Sequence, residues 1–213
     1  MTHLYQETGM NILQINSSIH SADGQSSRLA DRFVTSLLES SPEAELVVRD
    51  LAREPIPHLD AERFGALIQK PEARTRAQQT VVDHSDALIE ELRRADVLVL
   101  GLPMYNFGVP SQLKSWFDHI ARAGVTFKYT EQGPVGLMRG RKAYVLAARG
   151  GQYAGTAADV QSDYVRRFLA FLGIADVEFA YAEGLAISPE TREQGLAGAH
   201  EQIESLIAQT VIA

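Results

Sequence analysis

The chain has 213 residues, 45% apolar and 22% charged, with a formal net charge of −7 and no cysteine. That length suits one sizeable α/β domain, since roughly 70% of the unfolded surface can be buried at this size, and the balance excludes disorder. The missing cysteines exclude disulfides, thiolate nucleophiles, Fe–S clusters and Cys-ligated zinc, while the acidic excess leaves no electrostatic footprint for nucleic acid or an anionic membrane surface.

The start, MTHLYQETGMN, has no basic region followed by an apolar one, and no later stretch approaches the ~20 apolar residues of a membrane span. A cytoplasmic location is therefore expected. Met10 stands directly before the first strand-like run, so residues 1–9 read as an extension and residues 10–213 as a single domain. NILQIN (Asn11–Asn16) is a short apolar run, and SSRLADRFVTSLLES then carries Leu29, Ala30, Phe33, Val34, Leu37 and Leu38 at helical offsets. ELVVRDL (Glu45–Leu51) reads as a second strand, followed by the Pro-rich connection REPIPHL. From Pro71 to Ala95 one apolar face is formed by Val81, Val82, Leu88, Ile89 and Leu92, as in an amphipathic helix.

VLVLGL shows no alternation, which places it in the middle of a parallel sheet covered on both faces. Pro110 suits the first turn of a helix striped by Leu113, Trp116, Phe117, Ile120 and Ala121. KAYVLAARGG is a further strand, DYVRRFLAFLG is helical, VEFAYAEG is a fifth strand, and Glu190–Ile212 is a closing helix. Five strands alternating with helices predict an α/β fold with a parallel sheet, whose ligands sit beyond the carboxyl ends of the strands.

Three strand ends are chemically unusual. The loop NSSIHSADGQSS offers hydroxyls, backbone N–H groups and a helix start, an inventory that suits a phosphate and equally a plain turn with an N-cap. Arg28 is its one nearby cation and Asp23 opposes an anion, so neutral donors would do the holding, which favours a monophosphate. PMYNFGVP offers apolar and π surface beside the amide of Asn106, fitting either a flat heterocycle with a polar rim or a hydrophobic plug. AARGG ends in Gly150 and Gly151, where a missing Cβ admits a ligand to the backbone or simply allows a sharp turn. Taken together, the three match the phosphate, ribityl chain and polar-edged ring of flavin mononucleotide (FMN).

Competing chemistries lack their residues. There is no GxGxxG, no Walker loop and no GxSxG elbow, and the six histidines show neither H-x-H nor H-E-x-x-H spacing. Paired acids such as Glu90 and Glu91 belong to a charged helical face.

The stretches SSIHSADGQS, DLAREPIPHLD, PMYNFGVPSQLKSWFDHIARAGVTFKYTEQGPVGL, RGG and FLAFLGI followed by AEG run from Asn11 to near the C-terminus. In this order they resemble the FMN-dependent NADH-azoreductases, also described as NAD(P)H:quinone oxidoreductases of the flavodoxin-like fold. The resemblance implies a flavodoxin-like five-stranded parallel sheet with helices on both faces. It implies FMN held by Ser18, Gly24, Gln25 and Ser26 at the phosphate, by Met104, Tyr105, Asn106 and Phe107 along the ring, and by Ala148, Arg149, Gly150 and Gly151 at its other edge. It further implies a homodimer, with Tyr129 and Phe171 around the substrate and Phe171 contributed by the partner subunit. NADH or NADPH would reduce the flavin and leave, and a quinone or azo compound would then be reduced. No catalytic acid, nucleophile or metal is assigned, because such a cofactor carries the chemistry. Gly24 and Ala148 stand where family members often have serine, which predicts altered FMN affinity, and Ile68 stands where some carry a basic residue. A flavodoxin-type electron carrier without NAD(P)H turnover, or a flavin-binding regulator, would share much of this inventory.

Overall fold

Residues 9–212 are described in a computed structural model of the chain, so the expected extension at residues 1–9 lies outside the description except for Gly9. The elements run β1 (Asn11–Asn16), α1 (Gln25–Ser40), β2 (Glu45–Asp50), α2 (Ala61–Ile68), α3 (Arg76–Arg94), β3 (Val97–Pro103) and α4 (Ser111–Ile120). After them come β4 (Phe127–Thr130), β5 (Gly133–Gly136), β6 (Lys142–Ala148), α5 (Val160–Leu172), β7 (Asp176–Ala182) and α6 (Pro189–Ile212). Five strands form a wholly parallel sheet in the order β2-β1-β3-β6-β7, and β4 pairs with β5 in a separate antiparallel hairpin.

The central position of β3 follows from its composition, since all seven of its residues are buried, as a strand apolar on both faces requires. On one face Leu98, Leu100 and Leu102 join Leu88, Ile89 and Leu92 of α3, Trp116 and Phe117 of α4, and Leu169 of α5. On the other, Val97 and Val99 pack with Phe33 and Leu37 of α1 and with Ile203 of α6. Helices on both faces are thereby confirmed.

Gly101 interrupts the apolar run of β3 for a steric reason. A Cβ there would lie 3.1 Å from Asn16 Oδ1 and 3.1 Å from the Ser26 carbonyl, so glycine lets the first turn of α1 sit directly on the sheet. The start of α1 is thus fixed over the boundary between β1 and β3, where the crossovers diverge and ligands bind in such sheets.

Two features are absent from the sequence reading. Helix α2 follows the N-cap Asp60, whose carboxylate accepts the Arg63 N–H at 2.8 Å, and its apolar residues Phe64, Leu67 and Ile68 share one face, although only Ala66 is buried. The β4–β5 hairpin is built from four-residue strands, and β5 lies so close to α5 that a Cβ on Gly136 would meet the backbone of Leu172 and Gly173. The helix expected over Pro71–Ala95 is instead a 3-10 turn at Pro71–Ala73 followed by α3. Its true start is a capping box, with Thr75 Oγ1 accepting the Gln78 N–H at 3.2 Å and Gln78 Oε1 accepting the Thr75 N–H at 2.9 Å.

The connection after β2 is fastened to α4 by histidines. His119 Nε2 donates to the Pro57 carbonyl at 3.0 Å, His58 Nδ1 lies 3.1 Å from Ser115 Oγ, and the His84 and His119 rings meet edge-on at 5.7 Å. Burial lowers the pKa of both His84 and His119 below the ordinary 6.5, aided by Arg49 near His84 and by His84 and Arg63 near His119. The unfolded chain therefore takes up protons first. The contribution of these two neutral rings to stability is complete above about pH 6.5 and is lost as the pH falls through that value towards their folded-state pKa values. Equilibrium urea unfolding is expected to show this loss, and His119→Gln, which keeps a donor for Pro57 but does not titrate, is expected to reduce it.

Candidate functional site

From β1 the chain turns through Ser17–Gly24 into α1. Ser17 Oγ donates to the Gly101 carbonyl at 2.7 Å and is structural. Ser18 is buried, and its Oγ accepts the His20 N–H at 3.1 Å. Ser21 holds a left-handed φ of 52° and donates through Oγ to Asp50, which ties this loop to the end of β2. Gly24 is the N-cap of α1 and has no side chain to cap with. The N–H groups of Gln25, Ser26 and Ser27 accordingly find no acceptor among the described residues, and the buried hydroxyls of Ser26 and Ser27 have no partner either. Unmatched donors at the positive end of a helix suit an anion. Arg28 does not serve it, because its guanidinium pairs with exposed Asp23 at 3.2 Å.

The identity of Gly24 has a local cause. A Cβ at this position would run into Ser18, 2.5 Å from its Cβ, so a serine here would displace the buried Ser18 hydroxyl. The lost hydroxyl at position 24 is thereby linked to how tightly Ser18 is packed.

At the end of β3 the backbone makes a closed turn, with Tyr105 N–H on the Gly108 carbonyl at 3.3 Å and Gly108 N–H on the Tyr105 carbonyl at 3.0 Å. Its central residues, Asn106 and Phe107, have φ of 49° and 64°. Two-residue turns with both centres left-handed favour Asn-Gly, and a phenylalanine in the glycine position costs on the order of 1–2 kcal/mol. Among the described residues the non-glycine positive φ angles are those of Ser21, Asn106 and Phe107, all in two of the three loops singled out by sequence. Asn106 and Phe107 are exposed, and no hydrogen bond occupies the Asn106 amide among the described residues.

The third loop leaves β6. Met104 N–H donates to the Ala148 carbonyl at 3.1 Å. Arg149 turns inward: its side chain is fully buried between Asp159 at 3.0 Å and Glu183 at 3.1 Å, donates to Ser162 Oγ at 2.8 Å, and lies 4.9 Å from the Tyr181 ring centroid. Burial works against the Asp159 charge, but Arg149 and Ser162 outweigh it and hold that carboxyl below its ordinary range. The N–H groups of Gly150 and Gly151 have no acceptor among the described residues. Tyr153, not anticipated from sequence, lies across Gly151, where a Cβ would stand 2.6 Å from its hydroxyl.

Direct contacts join the three loops. The Tyr105 hydroxyl accepts the Ile19 N–H at 3.3 Å and lies 3.5 Å from Ser18 Oγ, while Phe107 meets Tyr153 edge-on at 5.6 Å. A donor-rich helix start, an aromatic turn and a side-chain-free backbone therefore form one surface at the carboxyl end of the sheet. Among the described residues no group of three or more His, Asp or Glu is arranged to hold a metal.

Over residues 10–207 the sequence matches the family described as the flavodoxin-like fold. A protein of Burkholderia lata named FMN-dependent NADH:quinone oxidoreductase 6 is 53% identical over 192 residues, spanning 90% of this chain and 97% of its own length. The FMN-dependent NADH:quinone oxidoreductase of Dechloromonas aromatica is 53% identical, over 93% of this chain and all of its own. The chain belongs to this flavodoxin-like oxidoreductase family. Among solved structures, an FMN-dependent NADH-azoreductase of Bacillus anthracis in complex with FMN superposes with a TM-score of 0.86 at 28% identity, covering 95% of this chain and 99% of the other.

Tyr129 and Phe171 lie apart from the three loops. Both flank Phe127, at ring distances of 5.4 Å and 4.3 Å, and Tyr129 is 74% exposed. Tyr129 lines a cavity of about 630 Å3 with Phe64, Ile68, Lys70 and Arg74, and no residue of 104–107 or 148–151 borders it. The basic residue missing at Ile68 thus has cationic neighbours in Lys70 and Arg74 along the same wall.

Phe107→Gly is expected to relieve the turn and raise the thermal midpoint by about 2–4 °C, the equivalent of roughly 1 kcal/mol in a chain of this size. A lowered midpoint in a calorimetric scan would show that the Phe107–Tyr153 contact outweighs the strain.

Proposed function

We propose that this protein is an FMN-dependent NAD(P)H oxidoreductase acting on quinones and azo compounds, with its site at the three joined loops. The observation that carries the reading is the coincidence of left-handed backbone at Asn106 and Phe107 with unmatched donors at the start of α1 and at Gly150–Gly151. Strain of that kind persists where the surrounding structure enforces it, and it gathers at ligand sites.

The residues present fit the cofactor. The N–H groups of Gln25, Ser26 and Ser27 and the Ser26 hydroxyl offer a monophosphate donors that no described residue accepts, and the Ser18 hydroxyl would join them. Met104, Tyr105 and Phe107 would flank the ring, and the Asn106 amide would meet a polar edge. Bound FMN would supply the redox chemistry, taking hydride from NADH or NADPH and passing it to a quinone or azo compound. Gly150 and Gly151 would contribute backbone donors towards negative charge on the ring, and Arg149 would hold their loop from within.

Tyr129 and Phe171 would act on the substrate across a homodimer interface. In support, Phe64, Ile68 and Tyr129 are each more than half exposed around the same cavity, an apolar grouping that a second copy would cover. No helix among the described residues is long and apolar enough to cross a membrane.

Purified protein is expected to be yellow, to bleach with NADH in the absence of air, and to regain its colour with quinone. Colour that NADH leaves unchanged over minutes would indicate an electron carrier. A colourless protein that takes up no FMN would overturn the assignment of the loops. Asn106→Asp, which sets a negative charge at the ring's rim, is expected to weaken FMN binding or lower the flavin potential, and unchanged values for both would remove Asn106 from the site.

A further inference from the structure

We infer that Gln161 is a positioning residue: from the first turn of α5 it holds the left-handed turn of residues 105–108 in the shape presented to the flavin. The inference rests on the FMN reading above. Gln161 is 1% exposed, and its Nε2 donates to the Pro103 carbonyl at 2.9 Å and to the Gly108 carbonyl at 2.8 Å. These residues open and close the loop, so one amide nitrogen spans both of its stems. Both amide hydrogens are used in this way, while Oε1 is buried with no partner among the described residues. A leucine of similar volume would fill the space without orphaning an oxygen, so packing alone does not account for the amide.

The turn needs such a hold. Asn106 and Phe107 are both left-handed and both exposed, and Phe107 gains only an edge contact with Tyr153. Strained backbone persists only where its surroundings over-determine it. The same first turn also steadies the third loop, because Asp159 caps α5 through the Ser162 N–H at 3.0 Å and both residues engage Arg149. Two of the three loops are therefore registered against one helix end. Gln161 touches neither ring nor substrate in this account, and acts through the backbone of Tyr105–Gly108.

The test is a titration of apoprotein with FMN, followed by flavin fluorescence quenching, for wild type, Gln161→Glu and Gln161→Leu at about pH 8 and about pH 5. A carboxylate has no donor for the two carbonyls and sets charge against them, whereas the protonated acid regains one O–H donor. Relative to wild type at the same pH, Gln161→Glu is expected to bind FMN ~30-fold more weakly at pH 8 and to recover to within ~5-fold at pH 5, while Gln161→Leu is ~10-fold weaker at both. Visible circular dichroism of the bound flavin is expected to change in step. A Gln161→Glu defect equal at the two pH values, or affinities within ~3-fold of wild type throughout, would overturn the inference and leave the FMN reading intact. Wild-type protein that takes up no FMN would overturn both.

Discussion

Left-handed backbone at Asn106 and Phe107 is the constraint around which the carboxyl end of the sheet is organised. It reverses the chain between Tyr105 and Gly108, leaves the Asn106 amide without a partner among the described residues, and puts the Phe107 ring against Tyr153. That contact carries the turn to the Gly150–Gly151 loop, and the Tyr105 hydroxyl carries it to Ile19 and Ser18. A relaxed turn would shift both junctions together, because Tyr105 and Phe107 hold the contacts to the other two loops. The strain is sustained from outside by the parallel sheet beneath and by Gln161 of α5.

Glycines do complementary work by omission. Gly101 lets α1 rest on β3, Gly24 leaves room for Ser18, and Gly151 leaves room for Tyr153. At the start of α1 the outcome is a set of neutral donors unmatched among the described residues, since the neighbouring Arg28 is spent on Asp23 in an exposed pair of small energetic value. Such a set suits one phosphate at the end of a ligand better than a chain of them. Charge is instead concentrated inside, where Arg149 lies between two carboxylates and braces the third loop without reaching into the cleft.

Much of this was legible in the sequence for physical reasons that can be named. VLVLGL lacks alternation because both faces of β3 are covered, and that placed the central strand correctly. The three loops stood out because serines, aromatics and paired glycines are costly or idle in ordinary connections. Helix α2 escaped notice because it is only eight residues long with Gly65 inside it, so the apolar spacing of Phe64, Leu67 and Ile68 spans barely one turn. Arg149 read as a ligand residue within RGG, yet its partners Asp159 and Glu183 lie 10 and 34 positions along the chain, a pairing that only the folded sheet brings about. Tyr153 and Gln161 carried no local signal, because their roles depend on which backbone atoms lie opposite them.

The proposed site joins the start of α1 to the two loops beside it, with a phosphate at one end and a planar ring at the other. The affinity ratio of FMN to riboflavin for the apoprotein isolates the phosphate end, since the two ligands differ only in the phosphate. Charge-assisted bonds from the start of α1 predict FMN binding ~100-fold or more tighter than riboflavin. Affinities within ~3-fold of each other would contradict the account, because the phosphate would then gain nothing from the unmatched donors of Gln25, Ser26 and Ser27.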